Sequence, residues 1–141
     1  MTFLLSGCVG KTLQQTTDNG LKIGSCIGLP NCVSSNASVF YNYIEPFALA
    51  IPKEQAWPLV KEAVLEIPRT VIDEEDDHYL HAKTSSMVFR FVDNLELLYQ
   101  ADQHQIAVRS SSVLGLYDLS ANRRRVNALR KALIAKGVVK E

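Results

Sequence analysis

Between Arg69 and Ser111 the chain carries five short runs of strand type, separated by a few polar residues each: Arg69 to Ile72, Tyr79 to Thr84, Met87 to Val92, Leu95 to Gln100 and Gln105 to Ser111. Strands that follow one another through loops this short pair antiparallel, because a parallel return needs a crossover of about a dozen residues. An additional short strand is expected at Phe47-Ala48-Leu49-Ala50-Ile51. Helical periodicity brackets the strand region. After Pro52, Trp57, Val60, Val64 and Ile67 recur at spacings of three and four until Pro68 stops the pattern. Pro58 fits only in or near the first turn, where amide donors lack partners anyway, so this helix is expected to start at Lys53 or Glu54. A second helix is expected from Ser120 to Lys136, capped by Asp118 or Ser120 and closed by a left-handed Gly137, with Val126, Leu129 and Leu133 as its buried stripe. The fold class that follows is α+β: an antiparallel sheet of four to six strands packed against two helices on one face.

Two polar stretches read as hairpin tips. Asp73-Glu74-Glu75-Asp76-Asp77 places five carboxylates in a row, and their repulsion suits a solvated turn; the spacing and glycine of a calcium-binding loop are missing. Ala101-Asp102-Gln103-His104 is the second.

The chain has 141 residues, enough for one domain with one core. Lys+Arg and Asp+Glu are both 15, so there is no net field to gather a polyanion, and nucleic acid is not an expected partner. No apolar run reaches the roughly 18 residues of a membrane-spanning helix, so the chain has no transmembrane helix of its own and membrane attachment is expected through a covalent anchor.

Cys8 supplies a candidate for it. Leu5-Ser6-Gly7-Cys8 follows a short apolar run and has the form of a lipoprotein processing box: small residues admit a peptidase, and the thiol accepts a diacylglyceryl group. Met1 to Leu5 is shorter than the apolar stretch of a complete export signal. Two or three acyl chains, at roughly 0.8 kcal/mol per buried methylene, would anchor the protein durably. On this reading residues 1–8 are a signal remnant, residues 9–25 a flexible tether with a span of roughly 20–25 Å, and residues 26–141 the domain. Cys26 and Cys32 bracket Gly28 and Pro30 and can close a small loop in an oxidising compartment. The rival is a zinc site completed by His78 and His81, although an offset of three along a strand sends the two imidazoles to opposite faces.

Several polar residues interrupt apolar patterns. Arg90 lies within Met87 to Val92, with Asp93 next to it, and Arg109 ends Ile106-Ala107-Val108. Asn122 heads the buried stripe of the last helix, while Arg123 and Arg124 point more outward. One reading turns the strand arginines to solvent on the open face of the sheet, loosely paired with Asp93 or Asp118. The other gathers Arg90, Asp93, Arg109, Ser110, Ser112, Asp118, Asn122 and Arg125 beside the N-terminus of that helix as a patch for an anionic group.

These residues carry a family resemblance. Pro30-Asn31-Cys32-Val33-Ser34-Ser35, Phe89-Arg90-Phe91-Val92-Asp93, and Arg109-Ser110-Ser111-Ser112 followed by Gly115, Asp118 and Asn122-Arg123-Arg124-Arg125-Val126 resemble, in that order, the bacterial and chloroplast family of domain of unknown function 1499 over residues 26–135. Many members resemble envelope lipoproteins, which agrees with Cys8; the family implies no reaction. Asn31, Ser34 and Ser35 belong to its first motif. Val113 stands where an arginine is usual, Tyr117 where a serine is common, and Ser120 where a glycine is common.

Catalytic signatures are missing: there is no Gly-x-Ser-x-Gly elbow, phosphate loop or dinucleotide fingerprint, and no cofactor or metal is expected. The expectation is a lipid-anchored protein of the bacterial cell envelope, facing the periplasm and on the outer rather than the inner membrane. It would serve as a binding or assembly module for an envelope partner or a small anionic ligand. An enzyme holding an anionic group in the same patch and a purely structural lipoprotein are the alternatives.

Overall fold

In a computed structural model of the chain, the described residues are 14–16, 20–85, 91–113 and 120–141. Cys8, Arg90, Asp118 and most of the expected strand Met87 to Val92 lie outside them. Ten elements follow in order: β1 (Gln14–Thr16), β2 (Gly20–Lys22), β3 (Cys32–Ser34), β4 (Phe47–Ala48), α1 (Lys53–Leu65), β5 (Thr70–Glu75), β6 (Tyr79–Ser85), β7 (Val92–Gln100), β8 (Gln105–Ser112) and α2 (Ala121–Ala135). The chain is α+β, with two helices and a six-stranded antiparallel sheet ordered β3-β8-β7-β6-β5, β4 pairing with β8 beside β3. A separate antiparallel pair, β1 and β2, precedes it.

Alternation along the strands sends side chains to opposite faces, and both faces are used. Leu80, Ala82, Leu95, Leu97, Ile106 and Val108 point to the helices, where they pack with Ala56, Val60, Ala63 and Val64 of α1 and Val126, Leu129 and Leu133 of α2. A smaller cluster, Tyr79, Leu98, Ala107 and Ile23, covers part of the opposite face. Ile23 to Ser25, at the end of the segment read as a tether, therefore lie against the sheet: Ser34 Oγ donates to Gly24 O (2.6 Å), and Asn36 Nδ2 to Ile23 O (2.9 Å).

Helix α1 starts at Lys53 as the Pro52 signal predicts, but Pro58 falls at its sixth residue, past the first turn. It ends at Leu65, so Ile67 packs on the core from just beyond the helix. Helix α2 closes as expected. Gly137 is left-handed (φ +73°), Val138 N–H reaches Leu133 O (2.9 Å) and Gly137 N–H reaches Ile134 O (3.0 Å), the paired bonds of a Schellman terminator. At its other end the expected side-chain cap is not made by Ser120, which holds φ +63° at the N-cap position.

The acidic run divides. Asp73, Glu74 and Glu75 belong to β5 and only Asp76 and Asp77 to the turn, since the carboxylates have cations at hand: Lys83 for Asp73 (3.4 Å), Lys61 for Glu75 (2.6 Å) and Lys53 for Asp77 (3.9 Å). Asp76 Oδ1 accepts the amides of His78 and Tyr79 and so shapes the turn. Among the described residues no helix is long and apolar enough to cross a membrane.

Candidate functional site

Of the eight residues read as one patch, Arg90 and Asp118 lie outside the described residues, and the other six do not come together as one. Register decides it: Ser110 and Arg109 are neighbours on β8 and so face opposite sides of the sheet. Ser110, Ser112, Asp93, Asn122 and Arg125 gather on the helix side, and Arg109 lies on the other.

On the helix side Asn122, fully buried, uses all four of its hydrogen-bonding positions. Its Nδ2 donates to Asn31 O (3.0 Å) and Ser112 Oγ (2.9 Å), and its Oδ1 accepts from Ser110 Oγ (2.7 Å) and Arg125 Nη1 (2.7 Å). Arg125 also donates from Nη1 to Ser110 Oγ (3.0 Å) and from Nη2 to Asp93 (2.6 Å). Placing an amide at the head of an apolar stripe thus ties α2 to β7, β8 and the loop before β3. These groups satisfy one another, which makes the cluster a clamp and not an open anion hole. The first family motif belongs to the same construction. Asn31 O also accepts Ser112 N–H (3.0 Å), Ser34 Oγ holds the segment before Cys26, and Ser35 Oγ accepts Val108 N–H (3.0 Å).

Cys26 and Cys32 form a disulfide with a Cα–Cα distance of 5.8 Å, so they are not metal ligands. Asn42, fully buried, holds the closed loop by donating to Leu29 O (2.8 Å) and Cys32 O (2.9 Å). His78 sits ahead of β6 in the β5–β6 turn against Asp77, while His81 is buried on the sheet, so the two are set apart by turn against strand and not by the faces of one strand.

The opposite face carries a polar network that the sequence reading missed. Glu96, with no exposed surface, accepts from Tyr79 OH (2.9 Å) and pairs with Arg109 (3.2 Å); Arg109 also donates to Ser111 Oγ (2.9 Å) and Ser25 O (3.3 Å). Burial and the adjacent Glu96 carboxylate push the Tyr79 hydroxyl well above the ordinary tyrosine range. His81 lies between Asn94 Oδ1 (2.8 Å from Nε2) and Asp73 (3.2 Å from Nδ1). The signal available was Glu96 within Leu95-Glu96-Leu97-Leu98, a charge that a half-buried strand tolerates only with a partner across the ladder.

Open space lies elsewhere. A groove of about 530 Å³ runs between α1 and α2 above Thr84. Ala63, Ile67, Ala128, Leu129 and Ala132 give it an apolar wall, and Arg69, Arg124 and Arg125 stand around it with Glu66. Lys136 pairs with Glu66 (3.2 Å) and offsets the one acid of the lining. Small side chains on α2 leave the groove open: Ala121, Ala128 and Ala132 occupy positions where longer residues would fill it.

A two-layer α+β domain, its sheet polar on one face and grooved between the helices of the other, is the class that fold and site define. The chain matches the family described as "Protein of unknown function (DUF1499)" over residues 22–133 and belongs to it. The match begins ahead of Cys26, where Ile23 to Ser25 already pack on the sheet. Comparison with curated proteins and with solved structures gives no match.

Proposed function

We propose that this is a lipid-anchored envelope protein that binds an anionic amphiphile, one acyl or alkyl chain with an acidic head group, in the groove between α1 and α2. The observation that carries the reading is the groove itself: an apolar wall beside about 530 Å³ of open space, with Arg69 and Arg124 at its edge, while Arg125 is paired with Asp93 and the one acid of the lining, Glu66, with Lys136. Apolar pockets with a few convergent charged groups are the usual form of small-molecule sites, and guanidinium groups suit carboxylate and phosphate heads. Supporting the compartment are Leu5-Ser6-Gly7-Cys8 and the Cys26–Cys32 disulfide, a cross-link typical of oxidising surroundings.

Calorimetric titration with dodecyl phosphate tests the groove. Saturable one-to-one binding is expected, at least tenfold weaker in Arg124→Ala and lost in Ala128→Trp, which fills the groove from an exposed helix position. Dodecanol and inorganic phosphate should each bind much more weakly than the complete amphiphile. Equal affinity of the wild-type chain and Ala128→Trp would refute the assignment. The anchor is tested separately: radiolabelled fatty acid should enter the wild-type protein in bacterial cells and not Cys8→Ser.

A further inference from the structure

Four large apolar or aromatic side chains stand out on one part of the surface. Ile27 and Phe40 are each 87% exposed, Tyr41 48% and Tyr43 42%. They come from two loops that brace each other. The disulfide closes the loop that carries Ile27, and Tyr41 OH donates to Gly28 O (2.6 Å) across the gap. Phe40 meets Tyr41 edge to face, with ring centroids 5.6 Å apart. Behind them, Arg123 of α2 donates to Tyr41 O (2.7 Å) and Tyr43 O (3.0 Å), fixing the second loop to the helix. The display is therefore held in place by covalent and hydrogen bonds although the rings themselves gain little burial. Exposed apolar patches of this kind mark interaction surfaces.

We infer that these two loops form a wedge that enters the interfacial zone of a phospholipid bilayer. Phe and Ile supply the apolar tip, and tyrosine rings suit the head-group level, where an apolar body and a polar edge are both satisfied. The Arg123 guanidinium beside them complements anionic lipid. Position along the chain favours the same occupant, because Ile27 follows Cys8 by fewer than 20 residues, and part of that short stretch, β1, β2 and Ile23 to Ser25, already belongs to the fold, which keeps the wedge close to an anchored cysteine. The inference rests on the envelope reading above, but it concerns a surface separate from the groove.

Flotation of the full chain carrying Cys8→Ser, which cannot be acylated, isolates the wedge from the anchor. With vesicles of phosphatidylethanolamine and phosphatidylglycerol in a 7:3 ratio the chain should float. Partition should fall at least tenfold in Ile27→Ser/Phe40→Ser and severalfold in Arg123→Gln, with an unchanged melting temperature for the double variant. Absence of flotation, or flotation unaffected by the double substitution, would overturn the inference. So would a dimer in sedimentation velocity that the double variant abolishes while the parent does not float, since the patch would then serve a second copy of the chain. Failure of Cys8 to take up fatty acid bears on the anchor alone, so the two claims fail separately.

Discussion

A single amide decides how α2 meets the sheet. Asn122 is placed so that both of its donors and both acceptor positions are used by four different groups. Removing it leaves Ser110, Ser112 and Arg125 short of partners in a buried setting, and Asn122→Ala should cost about 2–4 kcal/mol in chemical denaturation. Ligand affinity in the folded fraction should change little. Ser120 predicts the opposite sign: its φ of +63° belongs to the left-handed region that suits glycine, the residue common at this position in the family resemblance, and Ser120→Gly should stabilise by about 1 kcal/mol. Tyr79 gives a pH signature. Its hydroxyl holds its proton in the folded chain beyond the ordinary value of 10.0, so this stabilisation is complete below pH 10 and is lost as pH rises above it. The loss should approach about 1.4 kcal/mol per pH unit, and Tyr79→Phe should flatten that limb in melts from pH 9 to 11. At this scale the sequence pointed to Asn122, Ser110, Ser112, Asp93 and Arg125 correctly as neighbours, because they interrupt apolar patterns near one helix end. Arg109 was separable from them, because it adjoins Ser110 in an expected strand and alternation sends the two to opposite faces; its partner Glu96 was not, because only the register of β7 on β8 reveals it.

Among the elements, local chemistry was most legible where it is self-contained. Pro52 before α1, Gly137 after α2 and the apolar stripe Val126, Leu129 and Leu133 act within a few residues, and each does what its type dictates. The acidic run was harder to read: five carboxylates repel in isolation, but Lys61 and Lys83 come from α1 and β6, and pairing them required the tertiary fold. The same holds for Ile23 to Ser25, whose polar neighbours suggested a linker while Ile23 itself packs under Tyr79 and Leu98. The disulfide-closed loop is an element whose contribution can be measured by itself. Closing a loop of this size restricts the unfolded chain by about 2–2.5 kcal/mol. Reduction, or Cys26→Ser/Cys32→Ser, should lower unfolding stability by that amount while far-ultraviolet circular dichroism stays the same.

For the whole molecule, the division of labour follows from how each polar group is satisfied. The clamp around Asn122 ties α2 to the sheet, and the Glu96–Arg109–Tyr79 network ties β6, β7 and β8 to one another and to Ser25 on the other face. The α1–α2 groove combines apolar wall, open volume and the guanidinium groups of Arg69 and Arg124, a combination that no stretch of sequence displays because its lining comes from α1, α2, the α1–β5 connection and β6. Neutral overall charge argues against polyanions, and a local excess of arginine does not conflict with it. The central claim is that small anionic amphiphiles are held there and not on the polar sheet face, and amide chemical-shift mapping of the isotope-labelled full chain during titration with dodecyl phosphate tests it most directly. The largest shifts are predicted at Ala63, Ile67, Arg124, Ala128 and Ala132. Shifts centred instead on Glu96, Arg109 and His81, or none at saturating amphiphile, would contradict the account.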